Sequence, residues 1–568
     1  MAEHTPNACP ADGAVDGAVL LAQSLQRLGV RHVFHIPGEG ALEILDALAQ
    51  LPPDMPGMQL TTCRNEAGMA YAAQGYARVN AGTAGCTQPG VCLAGRATGA
   101  LNATLALHTA DTDAVPLILI IGQPAWTDAG NDRLTGFDLG EVFKPMVKAV
   151  LPVTAAQRIP EVLSQAWHLA MSSRMGPVVV LVPEDVLQQT STTALLDAPT
   201  CTAPAPSACA LADFQALSQN AQRPLLLVGG SGWQAADLQA LRDFVQHSRW
   251  PLACAYRRAD LLDHDNPQFV GEIGIGADPA LLNAVAQADV LAVLNMRLGE
   301  INTFGSSGGF GGWKLLTRPR PQQRVIHVHA DAGELQRNYQ TDLAIPAAPA
   351  EFLRAARALI KPLPQDNWRA PLRQMREDFI TGGQPCPGPV DLRAVMHTLR
   401  QQLPPATPVC VGAGAYAVWL HRYFSLHQPN TIIGPKSGAM GYGLAAAVGA
   451  AVRTKAPVLA LAGDGCLQMH AEELATAVQY QLPILLVVIN NAAYGAIEGA
   501  QRGLFGRTTG TRLTRIAFAA WAQSMGAMGL TVSDTAAFAP ALAQALAALQ
   551  NGPVVIDVQV PDGLGKPQ

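Results

Sequence analysis

Short apolar runs of strand length alternate with amphipathic stretches along the whole chain. Near the C-terminus, residues 457–464 (PVLALAGD) are an unbroken apolar run, the pattern of a strand buried on both faces. Residues 471–481 follow with Leu474, Ala477 and Val478 at helical spacing, and residues 483–491 (PILLVVINN) are the next apolar run. Strand, helix and strand of these lengths predict a parallel βαβ unit. The same cadence recurs around residues 115–123 and 176–185, and again around 224–232, 288–300 and 324–331. Residues 229–232 (GGSG) follow a predicted strand but lack the GxGxxG spacing, so a tight turn is expected there.

Two stretches interrupt this cadence. Residues 191–210 are rich in Ala, Pro and Thr, and residues from about 361 to 389 contain KPLPQ and GGQPCPGP. Both read as linkers. They predict three α/β, Rossmann-like domains with parallel sheets, at 1–190, 205–362 and 388–568. The outer two share wording. Residues 115–123 (VPLILIIGQ) resemble 482–491 (LPILLVVINN), and 176–185 (GPVVVLVPED) resemble 552–562 (GPVVIDVQVPD). The prolines of each pair lie 367 and 376 residues apart (483 − 116 and 553 − 177), which points to duplication of one domain.

Composition narrows the class. Hydrophobic residues make up 49% of the 568 and charged residues only 14%. So apolar a chain is expected to cover part of its surface with another copy, as a homodimer or homotetramer. A net charge of −5 without dense Lys/Arg runs argues against a nucleic-acid partner. The longest apolar runs are far shorter than the ~20 residues of a membrane span. The N-terminal stretch lacks the basic and apolar regions of a signal peptide, and the ten cysteines show no CxxC pair. A cytoplasmic location is expected.

The clearest chemical signal is Gly463-Asp464-Gly465, then 24 residues, then Asn490-Asn491. Parallel crossover brings Asp464 and Asn491 to one sheet edge, where α/β folds bind ligands. A carboxylate and an amide oxygen are hard ligands suited to Mg²⁺, and Gly465 and Cys466 leave backbone N–H groups open to phosphate. A second signal is Arg64-Asn65-Glu66-Ala67, with Glu66 heading a helix of small and apolar residues. Alone, such a Glu also fits an ordinary helix cap.

Together these segments resemble the thiamine-diphosphate (ThDP)-dependent enzymes, nearest the acetolactate synthase-like group that includes benzoylformate decarboxylase and benzaldehyde lyase. The resemblance spans nearly the whole chain and implies pyrimidine-binding, central and diphosphate-binding domains. It implies Mg²⁺ on Asp464, Asn491 and the carbonyl of Ala493, and cofactor contacts from Gly463, Gly465, Cys466, Tyr494 and Gly495. Glu66 is expected at the pyrimidine ring, where a carboxyl that shares a proton supports formation of the reactive C2 ylide. Met440, within Gly438-Ala439-Met440-Gly441, matches an apolar wedge between the cofactor rings. Gly412-Ala413-Gly414 matches a diphosphate loop, and Pro37-Gly38 a loop over the thiazolium. Glu39 falls where some decarboxylases carry a proton-transfer group; a solvated loop Glu fits equally. Asn102 and Gln123 match cofactor-side or active-site positions. The cofactor is expected between Glu66 of one subunit and Asp464 of another.

Several residues depart from that pattern. Ala94-Gly95-Arg96 lacks the His-His pair of pyruvate decarboxylases. Leu134-Thr135-Gly136 replaces a Phe-Gln-Glu run of acetolactate synthases, and Arg297-Leu298-Gly299-Glu300 replaces their Arg-Phe-Asp-Asp run. These differences count against FAD binding and against standard acetolactate formation. Arg297 and Lys148 are readable either as substrate-side cations or as ordinary surface cations. The expected function is a ThDP- and Mg²⁺-dependent 2-oxo acid decarboxylase or carboligase, working through an enamine that is protonated or added to an aldehyde or second 2-oxo acid. The alternatives are a benzaldehyde-lyase-like C–C lyase, a dinucleotide-dependent oxidoreductase and a silent ThDP-binding paralogue.

Overall fold

The computed structural model describes residues 13–51, 58–79, 88–128, 131, 138–200, 202–304 and 312–568. The chain divides into two compact units, one of residues 1–77 and 88–201, the other of residues 78–87 and 202–568.

The first unit holds a six-stranded parallel sheet of β2 (His32–His35), β3 (Gln59–Thr62), β4 (Gly90–Ala94), β5 (Leu117–Gln123), β6 (Ala149–Pro152) and β7 (Pro177–Pro183), in the order β3-β2-β4-β5-β7-β6. A short antiparallel pair, β1 (Val15–Asp16) with β8 (Thr190–Ser191), joins the two ends of this unit. Its core packs Leu21, Leu25 and Leu163 from helices against Val33, Ile118 and Val180 from strands.

The second unit holds two further sheets, each of six parallel strands. One contains β9 (Pro224–Val228), β10 (Leu252–Cys254), β11 (Phe269–Glu272), β12 (Val290–Leu294), β13 (Arg324–His329) and β14 (Leu343–Pro346), ordered β11-β10-β9-β12-β13-β14. The other contains β15 (Val409–Val411), β16 (Ile432–Ile433), β17 (Val458–Gly463), β18 (Ile484–Asn490), β19 (Met528–Val532) and β20 (Val554–Gln559), ordered β16-β15-β17-β18-β20-β19. One apolar cluster runs through this unit, from Leu226 and Val328 to Leu461 and Val487.

The expected fold class is met: three α/β sheets, all parallel. The first and third sheets follow the same strand order, second-first-third-fourth-sixth-fifth. The two pairs of similar segments occupy equivalent places in them, β5 with β18 and β7 with β20. The middle sheet has the doubly wound order with its switch point between β9 and β12. That crevice is filled by protein. Asn295 Nδ2 donates to the Ser231 carbonyl (3.0 Å), and the Arg258 guanidinium bonds the Gly230 carbonyl. The helix that follows, Ala235–Ser248, closes its own N-terminus with a capping box of Gln234 and Asp237. The turn expected at residues 229–232 is therefore occupied by the chain itself.

Two expectations about elements need correction. The helix expected over 471–481 runs only over Glu473–Gln479, because Gln481 adopts a left-handed backbone that ends it. The second linker contains a helix, Arg369–Thr381. Its apolar signal is weak because arginines do much of the docking. Arg373 Nη1 donates to the carbonyls of His264 (2.7 Å) and Phe269 (3.2 Å), and the Arg376 guanidinium lies 4.9 Å from the Phe269 ring centre.

Candidate active site

β17 and β18 pair in parallel from Val458 with Ile484 to Gly463 with Ile489, so Asp464 and Asn491 leave the sheet at one edge. Asp464 is 2% exposed, and its Oδ2 is buried without a hydrogen-bond partner. Burial pushes this carboxyl above the ordinary Asp value, against backbone N–H groups of Gly465, Ala492 and Ala493 that favour the ionised form. Asn491 Nδ2 donates to the Leu564 carbonyl (2.8 Å), which turns its Oδ1 the other way, where it accepts from the Ala493 N–H at 3.3 Å. Leu513 N–H donates to Ala492 O (2.8 Å) and Tyr494 N–H to Thr511 O (2.9 Å). In that antiparallel bridge the carbonyl of Ala493 points away from residues 511–513. An ionised carboxylate with a bare buried oxygen is costly. A hard divalent cation ligated by oxygen relieves that cost, so this set of groups fits Mg²⁺.

Asp464, Asn491, Ala493, Tyr494 and Gly495 line a cavity of about 230 Å³ with Ala413, Gly414, Gly438, Met440, Gly463, Gly465 and Cys466. Of the other residues expected at the cofactor, Gly412 and Ala439 are buried. A Cβ on Gly412 would lie 2.5 Å from Cys466 Sγ. The cavity floor is built around Tyr416, which belongs to none of the motifs. Tyr416 is buried, and its ring occupies the space that side chains at Gly414 and Gly463 would need, at 2.7 and 2.8 Å from a Cβ. Its hydroxyl donates to Cys466 Sγ (3.2 Å), which also accepts the Gly441 N–H (3.3 Å). The loop carrying Met440 is thus tied to the turn carrying Asp464. Gly438 has φ +77° and open space beside its Cα, so its backbone conformation is what favours glycine.

The first unit gathers the remaining residues at the C-terminal edge of its sheet. Glu66 begins the helix Glu66–Arg78 and is 8% exposed. Asn102 Nδ2 donates to Glu66 Oε2 at 2.9 Å, so two independently expected residues touch. A Cβ on Gly99 would lie 2.3 Å from Glu66 Oε1; only glycine leaves room for the carboxylate. The loop after β2 packs backbone to backbone. A Cβ on Gly38 would lie 3.0 Å from Gly95 Cα, and one on Gly122 only 1.7 Å from the Gly40 carbonyl. Pro37 is exposed, and Gln123, half-buried at the end of β5, donates to the Gly122 carbonyl (3.2 Å). The Glu39 side chain is 80% exposed, and its Oε2 accepts from Arg96 Nη1 at 3.0 Å.

Residues 15–143 match the family described as "Thiamine pyrophosphate enzyme, N-terminal TPP binding domain". Residues 212–356 match the central domain of these enzymes, and residues 412–558 their C-terminal TPP binding domain. A probable chloroplastic acetolactate synthase 2 of Oryza sativa subsp. japonica is 30% identical over 508 residues, 85% of this chain and 72% of its own. The acetolactate synthase isozyme 2 large subunit of Escherichia coli (strain K12) is 28% identical over 86% of each chain. The large subunit of Corynebacterium glutamicum is 28% identical over 95% of this chain and 86% of its own.

The chain belongs to the thiamine-diphosphate-dependent enzymes, in their acetolactate synthase-like group. It is an enzyme of the carboligase or lyase type. Against that family the two ambiguous cations have structural employment. Arg297 donates to Glu334 through Nε (3.1 Å) and Nη2 (2.8 Å), and Lys148 Nζ donates to the carbonyls of Leu169 and Ser172. Leu134-Thr135-Gly136 lies outside the described residues. Among the described residues, no helix is long and apolar enough to cross a membrane. Sequence reasoning missed Tyr416 and Gly99 because both sit inside ordinary helical patterns. The three glycines around Tyr416 were the available signal, since they imply something large beneath them.

Proposed function

We propose that this enzyme is a ThDP- and Mg²⁺-dependent 2-oxo acid decarboxylase or carboligase. The observation that carries the reading is the bare, buried Oδ2 of Asp464 beside Asn491 and Ala493 at one end of a glycine-lined cavity. Asp464, Asn491 and the Ala493 carbonyl would hold the cation. Gly412, Ala413, Gly414, Gly463, Gly465, Cys466, Tyr494 and Gly495 would hold the diphosphate. Gly438, Ala439 and Met440 would meet the rings, with Pro37, Gly38 and Glu66 supplied by another copy of the chain in a dimer or tetramer. When bound, ThDP would supply a carbon nucleophile for the substrate carbonyl and a sink for the electron pair left behind as CO₂ departs.

The chain's own residues prepare and protect that chemistry. Asn102 fixes Glu66 Oε2 and leaves Oε1 to share a proton. Met440 and the apolar lining keep water from the reacting face. Glu39 and Gln123 would move protons or orient the acyl fragment. The names of the relatives favour a 2-oxo acid donor, and the absence of a histidine at residues 94–96 favours ligation over simple aldehyde release. The test is a panel of 2-oxo acids with ThDP and Mg²⁺, measuring both CO₂ and 2-hydroxy ketone. Turnover of at least one acid is expected, together with loss of Mg²⁺-dependent ThDP binding in Asp464→Ala. Silence across the panel, or tight ThDP binding by that variant, would overturn the reading.

A further inference from the structure

Arg96 follows β4 and has no task in the chemistry above. It immediately precedes the helix Ala97–Asn102, the helix that contacts Glu66 through Gly99 and Asn102. Its aliphatic stem lies on the loop after β2: a Cβ on Gly40 would come within 3.0 Å of Arg96 Cγ. Its guanidinium is held unequally. Nε and Nη2 both donate to Glu184 Oε1, at 2.8 and 2.6 Å, and the Glu184 side chain is 22% exposed. Nη1 donates to Glu39, whose side chain is 80% exposed. One side of the fork is anchored. The other is satisfied by a carboxylate in water, and such a pair contributes little. An incoming anion with better geometry can take Nη1 in its place.

The reacting carboxylate of a 2-oxo acid is a poor occupant. Its charge is lost as CO₂ departs, so pairing it with an arginine stabilises the ground state and slows cleavage. An anionic group that survives the reaction has no such cost. Resting on the 2-oxo acid reading above, we propose that Arg96 is a specificity-determining residue that selects donors bearing a second carboxylate. The distal carboxylate displaces Glu39 from Nη1 and remains paired while the bond to the leaving carboxylate breaks. The electrons of that bond stay with the acyl fragment, and the distal group is unchanged.

Binding and turnover separate this proposal from the reaction assignment. Glutarate and butyrate are titrated into the ThDP- and Mg²⁺-loaded enzyme by calorimetry, which requires no chemistry. Glutarate is expected to bind at least about tenfold more tightly than butyrate, an advantage lost in Arg96→Gln. Glu39→Gln, an exposed change that the fold tolerates, removes the competing carboxylate and should tighten glutarate several-fold. Equal binding of the two acids by the wild type, or an unchanged glutarate affinity in both variants, overturns the proposal. In turnover, kcat/KM for 2-oxoglutarate should exceed that for 2-oxopentanoate and fall in Arg96→Gln mainly through KM. Failure of both acids to react while glutarate still binds through Arg96 would overturn the reaction assignment and leave the anion site standing.

Discussion

At the scale of single residues, the most informative contact is that of Glu66 with Asn102 and Gly99. A glutamine at position 66 keeps the volume and a partner for Asn102 but cannot share a proton. Glu66→Gln is expected to slow exchange of the cofactor's C2 proton with D₂O by about 10²–10⁴-fold, the usual range for general acid–base groups, with ThDP affinity largely kept. Equal exchange rates would leave Glu66 as a helix cap. Gly99→Ala offers an independent check, because the added methyl lands 2.3 Å from Oε1 and must displace it. It should reduce exchange in the same direction without replacing any titratable group. Wild-type exchange in Gly99→Ala would mean that the position of the carboxylate does not matter.

At the scale of elements, two places are sensitive to small changes. The loop after β2 lies on the end of β5 with no room for a side chain at Gly122. Gly122→Ala therefore has to push the two segments apart, and overpacking of this kind costs about 1–3 kcal/mol or more. A fall in the thermal midpoint is expected, with reduced cofactor affinity because Gly38 and Gln123 move with the segments. An unchanged midpoint would show that the loop yields freely. On β13, His327 is buried, and its Nε2 sits 2.9 Å from the Met296 carbonyl. Burial, reinforced by neighbouring His329, holds its pKa down to about 4, against a smaller opposing pull from the Met296 carbonyl and Glu334. The unfolded chain binds this proton below about pH 6.5, while the folded chain refuses it until about pH 4. Stability contributed by the neutral ring is present above pH 6.5 and is lost as pH falls across that window, by roughly 3 kcal/mol at most. Denaturant titrations from pH 7 to 4 should show the decline, and His327→Gln should lessen it, with buried His264, also held well down by burial, carrying part of the remainder. A variant as acid-sensitive as the wild type would assign the decline elsewhere.

At the scale of the whole molecule, the low charge fraction and exposed apolar side chains point to self-association. Leu42 (58%), Leu504 (60%) and Phe505 (64%) stand open on the single chain. Large apolar side chains left open in numbers are typical of surfaces that another chain covers. A dimer or tetramer is expected by light scattering at nanomolar concentration, and a stable active monomer would refute it.

Much of this was legible in the sequence because it rests on short-range chemistry. Buried parallel strands read as unbroken apolar runs, and strand-end motifs such as Gly463-Asp464-Gly465 and Asn490-Asn491 carry their spacing with them. Glu66 heads its helix as expected. Other features depend on which atoms meet across hundreds of residues. Tyr416 looks like any helical aromatic until Gly412, Gly414 and Gly463 close around it. The helix Arg369–Thr381 hides in a linker because arginine-to-carbonyl bonds, rather than an apolar stripe, hold it. Arg96 reads as the absence of histidine, and becomes a candidate for anion recognition only when Glu39 and Glu184 arrive from two other strand ends. Local composition determines which elements form and what chemistry each can carry. Tertiary structure decides which carboxylates share a guanidinium and which buried oxygen is left bare, because both depend on distances between segments remote along the chain.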